Sequence, residues 1–362
     1  MSFWNCYKGK KVLLTGHTGF KGSWLAIWLK ELGADVYGYA LDPYSSMDNF
    51  VTCGLENEIN HKVGDVRDGE KLLSYFAEIQ PDIAFHLAAQ PLVLLSYDDP
   101  AGTFETNLMG TVNFFEAVRK TPSVKVAVNV TSDKCYDNRE WIWGYRENDP
   151  MGGKDPYSAS KGCSELITSS YLNSFFKTEG SCLIASARAG NVIGGGDWAE
   201  NRIVPDYFRA VKKGEKLLVR NPYATRPWQH VLEPLSGYLN LGAALYLKGA
   251  TYVGGWNFGP EDTANYAVKE LIDQMLLIDS IGGYIIPDLD VKPHEATLLK
   301  LDISKAVNRL QWKPVLSFAE TVAFTVLGYK DDLEGLNMLE KRTNQIIQYS
   351  KKAVEKQIAW SV

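Results

Sequence analysis

The chain has 362 residues, 45% of them hydrophobic and 22% charged, with a formal net charge of −5, so one large or two moderate domains can bury a full core. The negative balance argues against general nucleic-acid binding, and the five scattered cysteines, none in a CxxC pair, argue against a metal site or disulfide framework and for a reducing compartment. No apolar run approaches the roughly 18 residues of a membrane span and the N-terminus lacks a signal-peptide core, so a cytoplasmic protein without membrane or nucleic-acid partners is expected.

In chain order, short apolar runs alternate with helix-like stretches. The runs are KVLLTG, DVYGYAL, DIAFHLAA, VKVAVNVTS and CLIASARAG. Between the first two, SWLAIWLKELG has helical spacing and ends at Gly33, a suitable C-cap. Two later helices are expected over about 100–120 and 158–177. Strands alternating with helices predict an α/β fold, a doubly wound parallel sheet of Rossmann type. After about residue 191 the rhythm changes to glycine-rich and arginine–aromatic segments, which predicts a smaller substrate-binding domain. The expected division is 1–190 for the dinucleotide, joined by about 235–260 because WNFGP returns toward the sheet, and 191–362 mainly for substrate. The stretch from Asn337 onward reads as a basic amphipathic surface helix capping the smaller domain.

The first strand runs into Gly16, Gly19 and Gly22, and a helix follows. At that junction the glycines serve a tight turn, close approach to a pyrophosphate, and helix–strand packing, so the loop suits a dinucleotide. A triphosphatase loop would place its lysine after the last glycine, whereas Lys21 precedes Gly22. Asp42, placed at the end of the second strand, suits the adenosine ribose and favours NAD over NADP, although a turn before Pro43 explains it nearly as well. Asp65 is placed near the adenine amino group. Phe20, Val66, Leu87, Ala88 and Ala89 complete the expected cofactor set. His17 and Lys21 are unusually bulky for such a loop. They are expected to crowd the backbone and loosen its hold on NAD, with Lys21 alternatively acting as a point charge on the pyrophosphate.

Tyr157 and Lys161 stand at YxxxK spacing, one helical turn apart on one face. An ammonium there can lower a phenol's pKa and make Tyr157 a base, while also holding the nicotinamide ribose. The segment NVTSDKCYDN leaves a buried strand and puts Ser132, Asp133 and Lys134 at the carboxyl edge of the sheet, where ligands bind in such folds. Ser132 can polarise a substrate hydroxyl, or simply cap the next turn. Glycine loop, strand-end serine and YxxxK in this order point to hydride transfer from a carbon bearing a hydroxyl.

With these motifs the chain resembles the extended short-chain dehydrogenase/reductases acting on sugar nucleotides. The segments VLLTGHTGFKGSWLAIWLKELGADVYGYALDP, HLAAQPLV, NVTSDKCYDN and DPYSASKGCSE look most like the branch that dehydrates cytidine-diphosphate glucose. The resemblance implies oxidation at sugar carbon 4, loss of water across carbons 5 and 6, and hydride return to carbon 6, with NAD regenerated each turnover. Asp133 matches the acid for the departing 6-hydroxyl. Lys134 departs from the related dehydratases, which carry a glutamate base; it serves as base only when neutral, and otherwise water acts or the lysine steadies an enolate. Asn191, the segment NRIVPD (201–206) and Arg226 match substrate positions, with Arg209 and Arg220 in support. A homodimer or homotetramer through the two long helices is expected. A different sugar-nucleotide 4,6-dehydratase or a 4-epimerase of the same fold is the nearest alternative. A silent NAD sensor would not need Ser132, Tyr157 and Lys161.

Overall fold

The computed structural model describes residues 3–261, 266–287 and 298–361. The apolar runs form β1 (Lys11–Thr15), β2 (Asp35–Ala40), β3 (Asn60–Val63), β4 (Ile83–His86), β5 (Val126–Val130), β6 (Leu183–Arg188) and β7 (Gly254–Asn257). They build one seven-stranded sheet in the order β7-β6-β5-β4-β1-β2-β3. All its pairings are parallel. Every residue of β4 and β5 is buried, as expected of strands covered on both faces. The chain winds from β1 outward to β3, then returns to set β4 beside β1, with Thr15 opposite His86. This reversal opens a crevice at the carboxyl ends of β1 and β4.

The helices that matter to the site are α1 (Phe20–Glu31), α2 (Gly69–Ile79), α3 (Gly110–Arg119), α4 (Pro156–Phe175), α5 (Ile203–Lys213), α6 (Leu232–Lys248), α7 (Val268–Ile278), α8 (Phe318–Glu334) and α9 (Met338–Glu355). Side chains alternate across β1. Val12 and Leu14 join Trp24, Trp28, Leu235 and Tyr349 in one core, whereas Leu13 joins Phe76, Phe114 and Ile184 in the other. A third core unites Phe208, Leu271, Met275 and Tyr329 from α5, α7 and α8. Within it Phe208 stacks on Tyr329 at 4.3 Å.

Three expectations change. β2 stops at Ala40, not Asp42, because both neighbours turn away there: β1 at Gly16, and β3 after Val63, the partner of Ala40. The run 100–120 is not one regular helix. A π-turn over Glu105–Met109 separates Pro100–Phe104 from α3. Inside it Asn107 donates to Ser160 Oγ at 2.9 Å and to the Gln90 carbonyl at 3.0 Å, and side-chain bonds of this kind give a local bulge its reason. Finally, α9 is more than a surface cap on the smaller domain. It packs on α1 as well as α8, burying Arg342 and Tyr349 completely.

Candidate active site

The loop between β1 and α1 shows what each glycine does. Gly16 has φ +74°, and a Cβ there would lie 2.6 Å from the Ala88 backbone nitrogen. A Cβ at Gly22 would lie 2.1 Å from the Gly16 carbonyl oxygen. These two are required by the chain's own packing. Gly19 is different: its Cβ would meet nothing closer than 3.5 Å, so the chain's own packing does not require a bare residue there. Gly19 also opens α1 without any side-chain cap, leaving first-turn N–H groups for an anion. Ala88 N donates to Thr15 Oγ1 at 3.3 Å and Leu87 N to the Thr15 carbonyl at 3.1 Å, so the segment 87–89 after β4 forms the opposite wall. These features fit the pyrophosphate of a dinucleotide.

The remaining cofactor candidates divide. Asp42 is exposed beyond the end of β2. The Asp65 carboxylate receives Arg67 Nε at 2.8 Å and Nη2 at 2.6 Å. Burial works to raise its pKa, but these bonds bring it below the ordinary value. Val66 is buried against Gly110. His17 does not crowd the loop as expected. Its ring lies over Gly38, where a Cβ would come within 2.4 Å, and its Nε2 bonds His61 Nδ1 at 2.7 Å. Burial, with help from His61, pushes its pKa down to about 3, so the ring is a neutral packing group of β2 and β3. The Lys21 ammonium instead lies 6.0 Å from the centre of the Tyr238 ring. Burial and Arg202 push its pKa down to about 8, against Asp133 and Asp197.

The catalytic candidates come together at the carboxyl end of β5. Ser132 caps the short turn Asp133–Cys135, accepting from Lys134 N at 3.3 Å and donating to Asp133 Oδ1 at 2.9 Å. Asp133 is buried, and its Oδ2 has no hydrogen-bond partner among the described residues. It lies so close to Gly190 that a Cβ there would stand 2.0 Å away. α4 starts at Asp155, whose side chain accepts from Ser158 N, with Pro156 at the first helical position. It carries Tyr157 and Lys161, both buried, and Ser96 Oγ accepts from Tyr157 N at 3.2 Å. Burial pushes the Tyr157 phenol up to about 12, with Ser132 and Arg202 acting to lower it. Lys161 was expected to be the group that lowers it, and the leading protein groups are these two instead. Lys161 itself is brought down to about 8 by burial and Lys21, against Glu165 and Cys135.

The substrate candidates are more scattered. Asn191, with φ +43°, follows Gly190, the residue that lies against Asp133. Arg209 donates to the carbonyls of Trp198 (2.8 Å) and Ala199 (3.1 Å) and to Asp206, so it braces the 196–200 loop. Arg220 is exposed. Arg226 lies opposite Tyr266 in a two-residue antiparallel pairing and donates to the Thr225 carbonyl at 2.8 Å. Two further residues belong with these: Arg202, expected only as part of the segment NRIVPD, and Asn107, which was not named from sequence. Arg202, opening α5, pairs with Asp197 at 2.8 Å and acts on both Tyr157 and Lys21. Asn107 ties the π-turn to α4. Its only sequence signal was a carboxamide inside an otherwise amphipathic run.

A parallel sheet with a glycine loop at its switch point, and a serine turn facing YxxxK, defines an extended short-chain dehydrogenase/reductase. The chain belongs to the GDP-mannose 4,6 dehydratase family, whose model matches residues 13–325. It is 49% identical over 349 residues to a CDP-glucose 4,6-dehydratase of Salmonella typhimurium, covering 95% of this chain and 97% of that protein. With a dTDP-glucose 4,6-dehydratase of Streptomyces antibioticus it shares 29% identity, over 91% of this chain and 96% of the relative. Among solved structures, an epimerase from Methanothermobacter thermautotrophicus superimposes with a TM-score of 0.77 at 25% identity, covering 94% of this chain and 96% of its own. The UDP-glucose 4-epimerase of Brucella ovis, solved with NAD, shares the fold, with a TM-score of 0.75 at 18% identity and coverage of 89% and 98%.

Proposed function

We propose that this protein is an NAD-dependent lyase that converts CDP-D-glucose to CDP-4-keto-6-deoxy-D-glucose. The observation that carries this reading is the buried Asp133 carboxyl, with its unpartnered Oδ2, beside Ser132 and Tyr157. An epimerase at carbon 4 needs a serine and a tyrosine but no acid for a departing 6-hydroxyl. NAD, when bound, accepts the carbon 4 hydride and returns it to carbon 6. Gly16, Gly19 and Gly22 would supply the backbone cradle for its pyrophosphate, with Phe20, Lys21 and 87–89 around it, Asp42, Asp65 and Val66 toward the adenosine, and Tyr157 and Lys161 toward the nicotinamide end.

The chain's own groups then divide the proton work. Ser132 orients the sugar 4-hydroxyl, and Tyr157, once ionised, takes its proton as the hydride leaves; positive charge from the Lys161 ammonium and a bound oxidised nicotinamide would bring the phenol down from about 12 for this step. The carbon 4 ketone acidifies the carbon 5 proton, which Lys134 or a water removes. Asp133 gives its proton to the 6-hydroxyl, which departs as water. Asn191 and Arg226 hold the sugar and diphosphate, with Arg220 in support and Arg209 acting through the loop it braces. Residues 1–190 with about 235–260 form the dinucleotide unit, and 191–362 mainly the substrate unit.

The test is to incubate purified protein with CDP-glucose and NAD and weigh the product. Loss of one water with solvent deuterium entering at carbon 5 is expected, and an unchanged mass sends the reading to another nucleotide sugar. Asp133→Asn is expected to keep hydride removal from carbon 4 while water loss falls by about 10²–10⁴-fold. A fully active variant would remove Asp133 from its role. A cytoplasmic homodimer or homotetramer completes the reading. Met109 of the π-turn and Leu166 and Phe175 of α4, all exposed, support association there, and light scattering of the eluted protein measures it.

A further inference from the structure

We propose that Glu165 is a positioning residue of this reaction: its buried carboxylate, anchored by Arg188, fixes the turn bearing Ser132, Asp133 and Lys134 against the helix bearing Tyr157 and Lys161. The proposal rests on the dehydratase reading above.

A charge pair in a protein interior needs a reason, because desolvation offsets most or all of its attraction. Glu165 and Arg188 are 5% and 4% exposed, and the carboxylate's contacts are all directed. Oε1 accepts from the Thr131 hydroxyl, and Thr131 is the residue immediately before Ser132. Oε2 accepts from Ser186 Oγ at 2.6 Å and from Arg188 Nη2 at 2.7 Å. Arg188 carries the connection onward, donating from Nη1 to the Tyr136 hydroxyl at 2.6 Å and to the Glu147 carbonyl at 3.1 Å. Tyr136 is the residue immediately after the Asp133–Cys135 turn. One carboxylate therefore tethers both ends of the catalytic turn, the first directly and the second through the guanidinium. The edge strand is shaped for this arrangement: a Cβ at Gly255 would stand 2.4 Å from Arg188 Nη2.

Glu165 also lies one helical turn beyond Lys161 on α4, so the same carboxylate sets the charge of the YxxxK lysine. The groups facing Lys161 are Lys21 from α1, Cys135 from the catalytic turn, His86 from β4, and Glu165 from its own helix. Glu165 is the leading one that favours the ammonium, against burial and Lys21. Position and charge are thus held by one group, and both change when it is neutralised.

The test compares kcat and KM for CDP-glucose across neutral and alkaline pH in the wild type, Glu165→Gln, Glu165→Asp, Thr131→Val and Tyr157→Phe, with circular dichroism of each. Displacement of reacting groups by about 1 Å costs about 10²-fold in rate, and a kcat loss of that order at unchanged KM is expected for Glu165→Gln. Its alkaline limb moves to lower pH, because Lys161 loses its proton sooner without the carboxylate. Glu165→Asp restores most of the kcat and the limb. Thr131→Val keeps the ion pair, so it lowers kcat several-fold with the alkaline limb in place. Wild-type kcat and pH profile in Glu165→Gln, with Tyr157→Phe inactive, overturns the proposal. So does a Glu165→Gln loss matched by lost native fold while Thr131→Val keeps full activity. An active Tyr157→Phe removes the reading of the site itself, and the proposal with it.

Discussion

Lys21 acts on the site as a like charge. It is one of the groups that lower Lys161, whose pKa is brought down to about 8, burial first. Removing that charge in Lys21→Met raises the Lys161 value, so Lys161 stays cationic to higher pH. The expected outcome is an alkaline limb of kcat moved upward, read from the pH profile; a limb that stays in place shows that Lys21 does not act on Lys161. This role was not legible in the chain. Spacing predicted the places of Gly16 and Gly22, because their function is a local turn and a local close approach. It misjudged His17, whose ring is directed by contacts with Gly38 and His61, neighbours that only the folded sheet supplies. Asn107 and Glu165 escape notice for a common reason. A polar side chain in a helical run reads as a solvent face, and nothing local reports that its partner is a buried group from another element.

Element boundaries depend on neighbours as well as on propensity. β2 ends when both flanking strands turn away, so the position of Asp42 could not be read from its own segment. The start of α8 is governed locally. Ser317 Oγ accepts from Glu320 N at 3.3 Å, and Glu320 answers by accepting from Ser317 N at 2.9 Å, a reciprocal capping box. Ser317→Ala is expected to lower stability by about 1 kcal/mol in urea unfolding. Glu320 adds a pH dependence. Burial opposes ionisation, but Lys352, Ser317 N and Lys356 hold its pKa down at about 2. A depressed carboxyl contributes stability that is present above its unfolded value of about 4.3 and lost as pH falls toward 2. Glu320→Gln should therefore flatten acid unfolding in that window, as followed by circular dichroism.

Across the whole molecule, the last long helix closes the first α/β unit. Arg342 of α9 pairs with Asp332 of α8, and donates to Asn49 Oδ1 at 2.8 Å and the Gly328 carbonyl at 3.1 Å. Asp332 in turn accepts from Gly196 N at 2.7 Å, and Tyr329 donates to the Asp197 carbonyl at 2.5 Å. The loop that carries Arg202's partner is thus held from the C-terminal end. Arg342→Met leaves Asp332 buried without its ion-pair partner and is expected to cost about 3–5 kcal/mol, measured by urea unfolding. The sheet, the glycine loop and the YxxxK helix were legible because each follows from local pattern. The docking of α9 was not, since its segment is polar enough to pass for a surface helix and its buried guanidinium has partners far back in the chain.

That docking has a consequence for biosynthesis. Asn49 and Arg342 are 293 residues apart in sequence. At about 5–20 residues per second, a ribosome needs between about 15 and 60 s to deliver the second after the first. Throughout that interval Trp28, against whose ring Tyr349 finally packs at 5.7 Å, belongs to an emerging chain with one apolar side uncovered. The sheet can pair during synthesis, but its α1 side waits for the final helix. The nascent protein therefore carries that uncovered apolar side until α9 has left the ribosome.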